Sequence, residues 1–183
     1  MSYLRELAIV SVGVLIALFL SNIKENNQAK KYQIASVETI KNEIEANRSV
    51  LEQVMEKQTL LLDTIIHYQE DKMSIVDLFE KAGGLQAPTL SNAGLEFYKR
   101  NQIQSIDFQM MSTLIRMNIL SDLIDSKLEK LTDFALPNVF VDSEESKLMV
   151  MLHLRNVLES EEQLVRVYEN FIDEYGTTTN QSE

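Results

Sequence analysis

Between residues 37 and 68 the apolar positions recur in alternating steps of three and four. Val37, Ile40, Ile44, Leu51, Val54, Leu61, Ile65 and Tyr68 lie on this ladder, and the polar Asn47 and Gln58 occupy two of its rungs. Such spacing draws a seam along one side of an α-helix, which another helix has to cover. Val50, Met55, Leu62 and Ile66 form a second line that widens the seam toward its far end, predicting two covering neighbours there and fewer at the near end. The ladder resumes at Met110, Leu114, Met117, Leu120, Ile124, Leu128 and Leu131. It returns once more at Val150, Leu154, Val157, Leu164, Tyr168, Phe171 and Tyr175. Three long amphipathic helices are therefore expected.

Two breaks separate them. In "AGGLQAP" (82–88), Gly83 and Gly84 suit a left-handed helix end, and Pro88 blocks continuation. "LPNVFVDSEES" (136–146) breaks the chain around Pro137, and Asp142 followed by Glu145 reads as a capping box. Residues 89–93 suggest one helical turn ending at Gly94, followed by a short turn through Phe97 and Tyr98. No Pro or Gly interrupts residues 14–82, so one helix is expected to run unbroken from the N-terminal region into the body. Gly176 is a plausible last stop, with "TTTNQSE" as a frayed tail.

The N-terminal stretch differs from the rest. Residues 7–23 carry no charge and are apolar all round, without the wet face that a small domain's core helix keeps. As a helix they rise roughly 25 Å, close to the ~30 Å hydrocarbon core of a bilayer, and Arg5 and Lys24 are long enough to snorkel to the headgroups. A cleaved signal peptide wants a basic start and a small-x-small site, and "SNIKENNQ" supplies none. The reading adopted is an uncleaved membrane anchor made of Leu7, Ala8, Ile9, Val10, Val12, Gly13, Val14, Leu15, Ile16, Ala17, Leu18, Phe19 and Leu20. Arg5 precedes it and Lys24, Lys30, Lys31 and Lys41 follow, a count that by itself favours a cytoplasmic body.

The expected fold class is all-α: an N-terminal transmembrane helix running into an elongated antiparallel bundle of three to four helices. Residues 1–23 form the anchor, 24–45 a juxtamembrane stalk, 46–175 the bundle and 176–183 a disordered tail. Composition agrees, with two prolines, five glycines and no tryptophan in 183 residues. A net charge of −11 leaves no basic patch for nucleic acid. The absence of cysteine removes disulfides and thiolate chemistry.

No catalytic constellation emerges. His67 and His153 have no ligand partner at helical spacing. Glu43/Glu45, Glu144/Glu145 and Glu161/Glu162 read as solvated pairs, whereas acid–base work needs carboxylates in unlike environments. "AGGLQAP" is neither a phosphate loop nor a dinucleotide fingerprint. No enzyme activity, metal or cofactor is expected. Met110, Met111, Met117, Met149 and Met151 read as core rather than as an adaptable binding face. Asn47 and Gln58 either fix the register of a helix pair or face water where the bundle is open.

Glu6, Gly13, Leu15, Ile16, Ala17, Leu18, Asn22, Glu25 and Asn26, within "VGVLIALFLSNIKEN" and its approach, resemble the anchor of an uncharacterised bacterial family, a domain of unknown function with one N-terminal span and a helical body. "TLSNAGLEFYKRNQIQSIDF" resembles that family's middle segment more loosely. Ile23 replaces the family's usual exit tryptophan, and the basic segment that typically precedes the span is missing. The resemblance implies an inner-membrane protein with a periplasmic body, and it brings no known activity.

These readings lead to a membrane-tethered, non-enzymatic interaction or scaffold module. Its partners are the lipid bilayer and a protein, or a second copy, held along Val37, Ile40, Ile44, Asn47, Leu51, Val54 and Gln58. The alternative is a sensory or small-molecule-binding bundle, against which stands the absence of an output domain in the few residues before the span.

Overall fold

A computed structural model describes residues 2–94, 96 and 108–176, with the side chains of residues 2, 4–10 and 176 outside the description. Among the described residues the chain is all-helical, with four helices and no strand: α1 (Ser2–His67), α2 (Ile75–Ala82), α3 (Phe108–Ala135) and α4 (Glu144–Gly176). The expected short turn through Phe97 and Tyr98 and the C-terminal tail lie outside the described residues.

The three ladders become one core. Ile40, Ile44, Leu51, Val54, Leu61 and Ile65 of α1 are buried, as are all seven ladder residues of α3. On α4 the buried set runs from Val150 to Phe171. Helix α4 lies in the middle and packs against both α1 and α3. Its direction follows from three contacts with α1: Arg48 reaches Glu169, Gln58 reaches Glu161, and Lys147 reaches the chain just past His67. Gln109 bonds Glu174 and Lys127 bonds Ser160, so α3 also runs opposite to α4. Helices α1 and α3 consequently point the same way. The simple antiparallel order expected from two breaks does not hold, because the chain returns along α1 before α3 begins.

That return is made without helix. Residues 84–92 run back beside α1 without regular secondary structure: Gln86 meets Gln58, Ser91 meets Asn47, and Gly94 meets Glu43. The turn expected at 89–93 instead opens after Asn92, whose carbonyl accepts from the Glu96 amide at 3.0 Å, and Gly94 lies within it. The second apolar line is only half covered. Met55 and Leu62 pack on the core, whereas Val50 and Ile66 are exposed.

Helix α1 stops at His67, although no Gly or Pro lies nearby. A short crossing follows, and Ser74 opens α2 with a capping box: its hydroxyl accepts from the Asp77 amide while the Asp77 carboxylate accepts from the Ser74 amide. The Ile75 and Val76 amides, free at a helix start, donate to the carbonyls of Val141 and Val139 in the turn between α3 and α4. Gly83 ends α2 with φ of 86°, a left-handed value that costs an L-residue its Cβ clearance, and its amide and that of Gly84 close on Glu80 and Phe79. At the start of α4 the cap is Ser143, which accepts from the Ser146 amide at 3.2 Å, one residue beyond the expected Asp142.

Among the described residues no helix is long and apolar enough to cross a membrane. Leu7, Ala8, Ile9 and Val10 have side chains outside the description. Residues 11–23, the described part of the run, rise about 20 Å, short of a ~30 Å hydrocarbon core. The described residues thus do not supply the transmembrane helix expected from the sequence. They do show Val12, Val14, Leu15, Ile16, Leu18, Phe19, Leu20 and Ile23 exposed along a helix that no other described residue covers, and Gly13 with open space around it.

Candidate functional site

Burial on α1 begins at Ile40, inside the stretch read as stalk, with Val37 packed at its edge. The proposed seam of Ile40, Ile44, Asn47, Leu51, Val54 and Gln58 is therefore filled by the chain's own α4, α3 and return segment. Its two polar members are buried within the chain rather than facing water. They hold the return segment.

Asn47 does so by imitating backbone. Its amide nitrogen donates to the Ser91 carbonyl at 2.7 Å, and its oxygen accepts from the Ser91 amide at 2.8 Å. One helical turn earlier, the Glu43 carboxylate accepts from the Ser91 hydroxyl at 2.6 Å and from the Gly94 amide at 2.6 Å. The spacing of four residues puts both side chains on one face of α1, so a single turn of helix grips two separate points of the returning chain. Gly94 is required by closeness. A Cβ there would fall 2.7 Å from both Glu43 Oε2 and Ile40 Cγ1.

Tyr168 closes the inner side of this clasp. It is buried, and burial pushes its phenol up to about 12, with a hydrogen bond to Asn47 as the smaller opposing influence and the nearby Glu43 charge adding to the rise. A cavity of about 20 Å³ lies between Asn47, Ser91 and Tyr168, room for a single water. Outside the clasp, a mostly apolar groove of about 300 Å³ runs along Tyr32, Ala35, Ser36, Thr39 and Ile40, with Ala93 and Gly94 on its other bank and Glu43 at its floor. That volume is at the lower end for a small-molecule site.

Further along α1 the second polar rung meets an acid. Gln58 donates to the Gln86 carbonyl and to Glu161 Oε1, both at 3.0 Å. Glu161 is fully buried, and desolvation pushes its carboxyl up to about 7 against a smaller lowering by Gln58. The reading of Glu161/Glu162 as a solvated pair is corrected by this: only Glu162 is at the surface, 3.6 Å from Arg166. Glu161 is a rung of the α4 ladder, between Val157 and Leu164, and that register was the available signal.

Lys147 belongs to the same ladder. It lies three residues before Val150, is fully buried, and donates to the carbonyls of Tyr68 and Gln69 at 3.1 Å each and to that of Asp71. The three carbonyls belong to the turn just past α1, so the buried ammonium ties α4 to the crossing that leads from α1 to α2 and lies near the negative end of the α1 dipole.

The remaining candidates stay apart. His67 stacks edge-on against Tyr68, and His153 lies against Phe134 at 5.7 Å. Among the described residues no group of three or more His, Cys, Asp or Glu is placed to hold a metal ion. Met110, Met117 and Met151 are buried in the core, Met111 is partly buried against it, and Met149 is at the surface.

Comparison with known proteins adds one match. The model of a family of unknown function (DUF6090) matches residues 6–129, about two thirds of the chain. The matched region contains the clasp and ends inside α3, before α4. No curated protein and no solved structure matches. The chain belongs to the DUF6090 family of unknown function.

Proposed function

We propose that this protein is a membrane-tethered, non-enzymatic interaction module. Its apolar N-terminal helix lies in a bilayer and its bundle presents the first helix to a protein partner or to a second copy. The observation that carries the reading is the uncovered apolar run on α1. Leu15, Leu18 and Phe19 are each more than 60 % exposed on a helix that continues without a break into the core. In water those side chains give up the ~1.5–3 kcal/mol each that burial supplies, and lipid restores it. Residues 24–36, between the run and the start of the core, leave Tyr32 and Ile34 exposed, and these form the part of α1 open to a partner.

Ultracentrifugation of detergent-free lysate tests the tether. Full-length chain is expected in the membrane pellet, and a Leu15→Lys/Phe19→Lys variant in the supernatant. Uncleaved wild-type chain entirely in the supernatant overturns the proposal. Crosslinking through residues 24–36 in membranes is expected to trap one dominant partner. A reporter fused after Glu183 reads the side on which the body lies: periplasmic activity agrees with the family resemblance, cytoplasmic activity with the charge count.

A second reading, a small-molecule-binding bundle, is favoured by the groove between Tyr32 and Gly94. A compound that raises the melting temperature of the wild type but not of an Ala35→Phe variant, which fills the groove, would support it.

A further inference from the structure

Residues 84–92, "GLQAPTLSN", contain no charged side chain, yet they are joined to Glu161, the one fully buried acid among the described residues. The two are linked through a single amide. Both hydrogens of Gln58 Nε2 are committed, one to the Gln86 carbonyl of the return segment and one to Glu161 Oε1. The other oxygen of each partner, Gln58 Oε1 and Glu161 Oε2, is buried without a hydrogen bond. Two orphan acceptors on one hydrogen-bonded pair are costly, because each has lost its water and gained nothing. One proton on Glu161 mends both, since a carboxylic acid donates to the amide oxygen while the amide donates back.

The charged groups on the elements packed around the pair are engaged elsewhere. Lys57 of α1 is exposed, Lys127 of α3 is bound to Ser160 and to the Asn156 carbonyl, and Glu162 of α4 faces Arg166. Burial and the Gln58 hydrogen bond are the influences on the Glu161 carboxyl, and no cation offsets them.

We propose that Glu161 is held as the carboxylic acid, its proton shared with Gln58 Oε1, and that loss of this proton unfastens the return segment from α1. An ionised Glu161 has no donor for Oε2 and draws the Gln58 amide away from Gln86. Water then reaches the charge by the cheapest route. Lifting an uncharged segment without secondary structure costs less than parting α1 from α4, whose ladders interlock. The clasp at Asn47 and Glu43 retains the far end, so the release is a loosening of residues 84–90 rather than unfolding.

Hydrogen exchange on the full-length protein, corrected for intrinsic rates, tests this at pH 6 and pH 8.5. Wild-type amides in residues 84–90 are expected to lose protection by roughly tenfold or more at the higher pH. Glu161→Gln, which keeps a donor at that position, is expected to hold its protection at both. An equal pH response in the two proteins, or a flat wild type, overturns the proposal. Infrared spectroscopy of the wild type gives a reading that does not depend on the variant folding. A protonated-carboxyl band is expected at pH 6 and absent at pH 8.5, and its absence at pH 6 is equally fatal.

Discussion

Replacing Lys147 by Met offers the sharpest test of how the bundle is closed at its far end. Methionine keeps the length and apolar stem of the side chain and removes only the ammonium. The wild type has three donor contacts there, to Tyr68, Gln69 and Asp71 carbonyls, from a side chain with no exposure. A hydrogen bond from a charged donor contributes about 1.5–3 kcal/mol. The sum is not lost in full. Asp71 is exposed and Tyr68 and Gln69 are half-buried, so water can replace part of what the ammonium gave, and the variant no longer desolvates a cation. A net loss of about 3 kcal/mol is the outcome expected. Urea denaturation of the full-length protein should show this as a lower midpoint with an unchanged slope. Native-state hydrogen exchange should place the earliest opening at residues 66–74. A loss below about 1 kcal/mol, or a stabilised variant, would refute the view that this lysine holds the turn after α1 against α4.

Two further outcomes follow from the same geometry. Gly94→Ala puts a methyl 2.7 Å from Ile40 Cγ1, and the branched, buried Ile40 must shift to admit it. A loss of about 2 kcal/mol in denaturant is expected, and one under about 0.5 kcal/mol would mean the return segment is not held this close. Glu161 sets a pH slope. Its folded-state value of about 7 lies above the ordinary 4.5, so its contribution is fully present below pH 4.5 and is lost as pH rises to about 7. The difference in stability between wild type and Glu161→Gln should change by about 3 kcal/mol across that window, in favour of the variant at the higher pH. Parallel pH profiles would contradict it.

The helical class and the buried ladders of α1, α3 and α4 were legible because periodicity is local information, written every three or four residues. So was the end of α2, since Gly83 and Gly84 carry their conformational freedom with them. What the residues could not announce was set by distant partners. Helix α1 ends at His67, and the carbonyls just past it are taken up by a lysine 80 positions later; the local hint is Ser74 with Asp77, which starts α2 rather than stopping α1. Residues 84–92 lack helix partly because Gly84 and Pro88 break it, which the sequence shows, and partly because side chains of α1 take up the backbone groups of Gln86 and Ser91, which nothing within the segment announces. The parallel course of α1 and α3 depends on that return. Of the candidate site, Asn47 and Gln58 stand out as polar rungs, whereas Lys147 and Glu161 do not, because a ladder of apolar members alone omits its charged rungs. Extending it by its own 3–4 rule reaches both.

The middle helix of the bundle is also the last of the four to be made. At about 5–20 residues per second, roughly 5–20 s separate the emergence of His67 from that of Gly176, and through that interval the α1 ladder has no α4 to lie against. A ribosome paused in this gap would display a bare apolar rod, and whatever shelters nascent chains must hold it until synthesis delivers the keystone.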